Sequence, residues 1–244
     1  LSLELAPARG YDGAIGLPGC PSIHSDRARH HHMTTLPVYI PTPKLEPVVF
    51  VVDEDASVRD SVESLVRQAG WRTESFGSAE AFLAYPAVDV PRCLVLDVTL
   101  PDIDGFDLQH RIEADQRAIP IIFLTGYDDV SMTVRAMRAG AFDFFTKPAA
   151  DTQLLHAIGG AIQQSERDLL EDRALRQLRD RYDSLTPRER EVMELVVAGL
   201  LNKHIAGRLG ISEITVKAHR GCVMRKMMAA SLPNLVRMHA ALFD

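Results

Sequence analysis

The sequence predicts two folded units of different class: an α/β domain built as a doubly wound, five-stranded parallel (βα)5 sheet, and, beyond a helical linker, an all-α four-helix domain containing a helix-turn-helix. Three observations predict this. Five short apolar runs alternate with amphipathic segments between residues 48 and 150. A helical pattern free of strand-like runs follows from Asp151. Beyond Leu185 the chain carries four short helical segments, each with its own start or stop signal. The expected boundaries are 1–46 for an extension outside the folded units, 47–150 for the α/β domain, 151–183 for its terminal helix and the linker, and 184–244 for the helical domain.

The first strand, Val48–Val52, is apolar at every position and ends in acids, as a strand buried on both faces should. Val58, Val62, Leu65 and Val66 recur at helical spacing up to a stop at Gly70. A second strand is expected over 71–76, and Ser78 is placed to cap a helix over 79–85. Runs 93–97, 120–125 and 142–147 supply the other strands, with helices near 105–114 and 130–138. The helix from Asp151 reaches Tyr182 with one stripe of Leu154, Ile158 and Ile162 and another of Leu175, Leu178, Tyr182 and Leu185. Between the stripes lies a very polar stretch, 163–168. The Gly159-Gly160 pair weakens this helix by about 1 kcal/mol per glycine relative to alanine. Two arrangements stay open for its distal part, pairing as a coiled coil or an unpaired solvated helix.

The helical domain opens on Thr186-Pro187-Arg188-Glu189, a capping box with proline at the first helical position. That helix runs to Ala198 and breaks at Gly199. Asn202 is expected to cap a short helix through Leu209, Gly210 to make a turn, and Ser212 to cap the next helix, which ends near Met228. A last helix starts near Ser231 with Pro233 in its first turn.

No apolar run approaches the roughly 20 residues that span a bilayer, so no membrane partner is expected. The first residues lack a basic segment followed by an apolar stretch, which argues against secretion. Cys20, Cys93 and Cys222 are too scattered for a disulfide framework or a zinc site, and a cytoplasmic home follows. Pro and Gly recur through 1–46 without a lasting period. The run His30, His31, His32 before Met33 reads as a tag remnant or sequence upstream of a start, in preference to a metal site. The net charge of -6 conceals an asymmetry. Residues 53–147 carry nine Lys/Arg against seventeen Asp/Glu, a net of -8; residues 186–244 carry nine against five, a net of +4. Only the second balance permits nucleic-acid binding, and it permits rather than requires it.

Asp53, Glu54 and Asp97 each stand at the carboxyl end of an expected strand, and a parallel sheet brings such ends together. Two full charges about 4 Å apart repel by roughly 4 kcal/mol at an effective dielectric near 20, so the cluster calls for a cation. A hard divalent ion with oxygen ligands, Mg²⁺ above all, fits. Thr125 ends the fourth strand and Lys147 the fifth. A carboxylate nucleophile, a metal, a hydroxyl and an ammonium are the parts of phosphoryl transfer: Asp97 attacks phosphorus, Lys147 and the ion neutralise oxygens, and Thr125 donates a hydrogen bond. Each residue alone has an ordinary structural explanation, such as a turn acid or a strand end. Their succession at strand ends does not.

In the helical domain, Ile205, Leu209, Ile211, Val216, Val223 and Met227 form an inward stripe, which by itself is only a helical core. Lys203, Lys217, Arg220, Arg225 and Lys226 are the cations on and around the second helix of the pair, suited to phosphate contacts beside a major groove. If that helix is the one that enters a groove, Lys217, Ala218, His219, Arg220 and Gly221 are its groove-facing candidates, and Arg220 is a candidate for a guanine edge.

Val-Val-Asp53-Glu54-Asp55, Leu-Asp97-Val-Thr-Leu-Pro-Asp-Ile-Asp-Gly105, Leu-Thr125-Gly and Phe-Thr-Lys147-Pro148 resemble the successive signatures of response-regulator receivers, over about residues 47–165. Leu185-Thr-Pro-Arg-Glu-Arg-Glu-Val192, Ala198-Gly199, Asn202-Lys203-His-Ile205-Ala206 and Ile211-Ser-Glu-Ile-Thr-Val-Lys217-Ala-His-Arg220 resemble the effector domain of LuxR/NarL/FixJ-type regulators. The resemblance implies a two-component transcription regulator. Asp97 is then the phosphoacceptor, served by a histidine kinase. Glu54 and Asp97 bind Mg²⁺ directly with the carbonyl of Thr99, and Asp53 does so through water. Thr125 and Phe144 form a switch pair. The helix over 212–228 enters double-stranded promoter DNA, and the final helix helps a homodimer form. Glu54 stands where aspartate is more usual, keeping the charge and adding a methylene. Such a regulator accepts and slowly loses its own phosphoryl group without turning over an external substrate. Two rivals are a phosphohydrolase of the haloacid-dehalogenase type and a DNA-binding protein indifferent to phosphate. The first needs an acid two residues after the nucleophile, where this chain has Thr99. The second leaves the acid, hydroxyl and lysine set without a use.

Overall fold

The computed structural model describes residues 46–114, 119–126 and 130–243. The extension before them, with His30–His32 and Cys20, lies outside the described residues. Five strands, β1 (Val48–Val52), β2 (Arg72–Phe76), β3 (Arg92–Leu96), β4 (Ile121–Thr125) and β5 (Asp143–Thr146), form one sheet in the order β2-β1-β3-β4-β5. Every pairing is parallel, with Val48 opposite both Arg72 and Arg92. The central strands β1 and β4 are buried at every position, whereas β2 at the edge exposes Arg72, which pairs with Glu74 at 2.7 Å.

The alternation of side chains along a strand divides the core into two layers. Val48, Phe50 and Val52 point to one face with Leu94, Leu96, Ile121 and Phe123, and are covered by α2 (Ala79–Leu83), α3 (Gly105–Ala114) and α4 (Val130–Arg138). Val49 and Val51 point to the other with Cys93, Val95, Ile122 and Leu124, under α1 (Ala56–Gln68) and α5 (Asp151–Asp183). Two covered faces are the condition under which continuous apolar strands are stable, which is the doubly wound arrangement the sequence predicts.

Helix α5 is continuous for 33 residues, about 50 Å at 1.5 Å per residue. Leu154, Ala157, Ile158, Ala161 and Ile162 bury its first half. The glycine pair that weakens it in isolation is a packing device here: Trp71 lies beside Gly159, and the Phe142 ring crosses directly over Gly160, where a Cβ would fall 3.0 Å from Cζ. The polar stretch is not wholly solvated either. Ser165 is buried and its Oγ accepts the Arg92 N–H at 3.0 Å, satisfying the first donor of β3. Further along, Arg173 donates to both the carbonyl and the carboxylate of Asp89 at 2.8 Å.

The chain divides near Arg181, and the second compact unit is helical: α6 (Pro187–Val197), α7 (Asn202–Leu209), α8 (Glu213–Lys226) and α9 (Leu232–Phe243). Its core is Leu185, Val192, Met193, Val196, Ile205, Val216, Val223, Met227 and Leu235. The capping box forms as expected, with the Thr186 hydroxyl on the Glu189 N–H and the Glu189 carboxylate on the Thr186 N–H. Gly210 closes α7 in the left-handed conformation (φ 66°), and Ser212 caps α8 by accepting the Thr215 N–H at 3.1 Å. One expected cap is absent. The residue before α7 is Leu201, which makes no side-chain cap, and Asn202 lies inside the helix with its amide turned to Arg220. Among the described residues no helix is long and apolar enough to cross a membrane.

The two adjacent glycines of α5 should respond oppositely to substitution. Gly159→Ala adds a methyl at ordinary contact distance from Trp71 and removes a helix-weakening residue, so a gain of about 0.5–1 kcal/mol is expected. Gly160→Val overpacks Phe142 and should cost about 1–3 kcal/mol. Urea unfolding followed through Trp71, the single tryptophan of the chain, reads both; shifts of the same sign would contradict this packing.

Candidate functional site

Because β1 and β3 are neighbours and parallel, Asp53 and Asp97 emerge side by side just beyond their carboxyl ends. Both are buried, at 2% and 7% exposure. Lys147, one residue past β5, reaches across β4 to both of them: its Nζ donates to Asp53 Oδ2 at 2.5 Å and to Asp97 Oδ2 at 2.8 Å. Burial by itself would lower the Lys147 pKa, but the hydrogen bonds and charges of the two carboxylates more than offset it and hold the ammonium protonated above its usual range. Thr125, fully buried, ends β4, and its carbonyl accepts the Lys147 N–H at 2.7 Å, which ties the ends of β4 and β5 together. Phe144 is half-buried on β5, its ring 6.4 Å from that of Phe123.

The loops around this cluster are held from several sides. The Asp53 Oδ1 accepts the Asp55 N–H at 2.9 Å, and Asp97 Oδ1 accepts the Thr99 N–H at 3.2 Å. Arg59 on α1 donates to the carbonyls of Asp53 and Glu54 at 2.7 and 3.0 Å, placing a guanidinium beneath the acidic loop. Asp102 accepts the N–H groups of Ala79 and Glu80 at the start of α2. Gly105 packs where a Cβ would lie 2.6 Å from the Asp97 carbonyl, so no other residue lets α3 begin so close to the acid. Sequence reasoning missed Arg59 and Asp102. The helical spacing of Arg59 after the acids offered a hint, whereas nothing local marks Asp102 as a cap for a helix more than twenty residues earlier.

The structure brings together Asp53, Asp97, Lys147 and Thr125. It leaves Glu54 exposed, and among the described residues no three His, Cys, Asp or Glu side chains are grouped so as to hold a metal. The donor chemistry nonetheless suits a hard cation, since two carboxylate oxygens converge on one point and that point is held by an ammonium.

On the helical unit, Ile214, Lys217, Ala218, Gly221 and Arg225 share the exposed face of α8, with His219 and Arg220 half-buried beside it. Lys203 is exposed in the first turn of α7. Arg225 also contacts Cys222 Sγ at 3.3 Å within its own helix. Two of the expected DNA-contacting cations are engaged inside the unit. Lys226 donates to Glu189 Oε2 at 2.7 Å and to the Ser184 carbonyl at 3.1 Å, clamping the end of α8 to the capping box of α6. Arg220 Nη1 donates to Asn202 Oδ1 at 3.1 Å.

Residues 49–159 match the response regulator receiver domain family, and residues 183–239 match the luxR family of bacterial regulatory proteins. Nodulation protein W of Bradyrhizobium diazoefficiens is 46% identical over 195 residues, 80% of this chain and 86% of the relative. The transcriptional regulatory protein FixJ of the same organism is 42% identical over 191 residues, 78% of this chain and 93% of its own. A solved structure of the response regulator StyR, 43% identical, covers 80% of this chain and 98% of its own with a TM-score of 0.73.

The Glu189–Lys226 clamp carries a pH signature. Burial would raise the Glu189 pKa, but the bonds from Lys226 and Thr186 bring it below its ordinary value of 4.5. The stability it contributes is therefore complete above about 4.5 and lost as pH falls through the lower folded value. Lys226→Met should lower the stability of the helical unit by roughly 1.5–3 kcal/mol at neutral pH, and the deficit should shrink well below pH 4.5 as Glu189 protonates. Scanning calorimetry over that range checks it; a deficit independent of pH would assign the effect to packing.

Proposed function

This chain belongs to the transcriptional response regulators that join a receiver domain to a LuxR-type DNA-binding domain, and from that premise we propose that phosphorylation of Asp97 by a histidine kinase switches its binding to promoter DNA. One observation carries the reading: Lys147 bridges two buried carboxylates at the carboxyl edge of the sheet, beside the buried Thr125. Asp53 and Asp97 are both buried, and each is held on its second oxygen by a backbone N–H, from Asp55 and Thr99 respectively. Asp97, at the receiver phosphoacceptor position and the more exposed of the two, is the one fixed for in-line attack. The Asp97 oxygen attacks phosphorus, and the leaving imidazole of the kinase keeps the electron pair of the broken bond. Lys147, held protonated, moves its interaction from the Asp97 carboxylate to a phosphoryl oxygen. Thr125 donates its hydroxyl to the new group, and Phe144 turns inward as the hydroxyl leaves.

Glu54, Asp97 and the Thr99 carbonyl would hold Mg²⁺ directly, and Asp53 would hold it through water. The chemistry supplied by the bound ion is neutralisation of the phosphoryl oxygens. Glu54, longer than aspartate and exposed, must swing inward to join. Thr99 offers no acid for a leaving alcohol, so turnover of phosphoesters is not expected. On the helical unit, α8 enters the major groove: Lys217, Ala218, His219, Arg220, Gly221 and Arg225 face the duplex, and Lys203 meets a phosphate at the uncapped start of α7. Lys226 contributes through its clamp on α6. Phosphorylation favours a homodimer on DNA.

Acetyl phosphate and Mg²⁺ should add one phosphoryl group of about 80 Da to the intact chain, none to Asp97→Asn and little to Lys147→Ala. The phosphorylated chain should bind promoter DNA or dimerise more tightly than the unmodified one. No adduct on the wild type, with DNA bound equally in all samples, would overturn the switch.

A further inference from the structure

We propose that Asn202 is a positioning residue for DNA recognition: through its amide it orients the Arg220 guanidinium at the margin of the α8 recognition face and so sets the base preference of that arginine. The proposal rests on the reading of α8 as the helix that meets DNA.

Asn202 is the first residue of α7, and the bond from Arg220 Nη1 to its Oδ1 links the two helices of the helix-turn-helix across eighteen residues of sequence. An asparagine at a helix start ordinarily serves as the cap. Here that position is Leu201, without a side-chain cap, and the amide of Asn202 is directed to Arg220 instead of to the first turn of α7. A guanidinium has five donors in a rigid fork, so one bond to a carboxamide fixes its plane and leaves donors for a base edge. The acceptor is neutral, so the positive charge of Arg220 is undiminished. A competing acceptor lies close. Glu213 lines the same cleft of about 340 Å³ as Asn202 and Arg220, and an arginine released from Asn202 has that carboxylate to pair with. The neighbouring face does not obstruct the fork, because Ala218 and Gly221 are exposed and nothing beyond its own helix turn lies within 4 Å of a Cβ built on Gly221.

A double-mutant cycle tests this. The full chain, treated with acetyl phosphate and Mg²⁺, selects a duplex from a random-sequence pool, and the selected duplex and its single-base variants are titrated with wild type, Asn202→Ala, Arg220→Ala and the double variant. Arg220→Ala is expected to weaken binding about tenfold and relax preference at one base position in each half-site. Asn202→Ala should weaken binding about threefold or more and relax the same position, with no further effect when Arg220 is already alanine. Asn202→Ser, polar but too short to reach Arg220, replaces the alanine variant if that one melts lower. An equal loss from Asn202→Ala in both backgrounds, or no loss in either, overturns the positioning role alone. No selected sequence for the wild type, or Arg220→Ala binding with unchanged affinity and preference, overturns the α8 reading beneath it.

Discussion

Two buried carboxylates must share one ammonium, and most of the sheet-bearing unit can be understood from that constraint. Asp53 and Asp97 are almost wholly removed from water, where unpaired charge is expensive. The lysine that offsets them comes from 50 residues beyond Asp97 and 94 beyond Asp53. Only a parallel sheet places the carboxyl ends of β1, β3 and β5 at one edge; an antiparallel order would send alternate ends to the opposite edge. A parallel sheet in turn needs crossover helices on both faces, which α1 and α5 provide on one side and α2, α3 and α4 on the other. The charge cluster and the hydrophobic layering are therefore one design rather than two.

The same constraint reaches the loops. A cluster this acidic needs its backbone fixed, because a carboxylate free to swing would seek water. Arg59 takes the carbonyls behind the first loop, and Gly105 allows α3 to start against the Asp97 carbonyl. Asp102 anchors the loop after β3 to the first turn of α2, where helix N–H groups would otherwise lack partners. Its backbone bonds hold the Asp102 carboxyl below the usual range even though burial pulls the other way. The acidic edge is thus stiffened by polar contacts that involve neither Asp97 nor Lys147.

What was legible in the sequence follows from the range of the interactions. Val48–Val52 and Ile121–Thr125 are fully buried runs, and a fully buried strand writes itself as an unbroken apolar string. Their terminal residues located Asp53 and Thr125 without knowledge of any partner. The Thr186–Glu189 capping box is local over three residues and was equally visible. Asn202 was not: its type and position suit a cap, and only the fold supplies the arginine eighteen residues later that claims its amide. Lys226 looked like a phosphate contact for the same reason, since its partner Glu189 lies 37 residues earlier. Gly159 and Gly160 read as weak points because propensity is local, whereas Trp71 and Phe142, which make them useful, belong to other elements. Glu54 was assigned from its place beside Asp53, but adjacent residues at a strand end diverge, and one is buried while the other is exposed.

The helical unit handles charge differently from the sheet-bearing one, and the difference bears on how a basic balance should be read. A surplus of Lys and Arg counts every cation as available to an anionic partner. In the folded unit Lys226 is committed to Glu189, and Arg188 and Arg190 are committed to Glu191 and Asp183. Those side chains hold α6 to its surroundings. Lys203, Arg208 and Lys217 are exposed on the helix pair, fewer than the nine cations of the count, and Lys217 lies on a stretch of α8 made narrow by Ala218 and Gly221. On the proposed reading of α8 as the helix that meets DNA, small side chains there let a duplex approach the helix backbone closely, and a nearby cation acts at shorter range, where its interaction with phosphate is strongest. On that reading, recognition by this unit depends on where a few cations are held more than on how many the sequence contains.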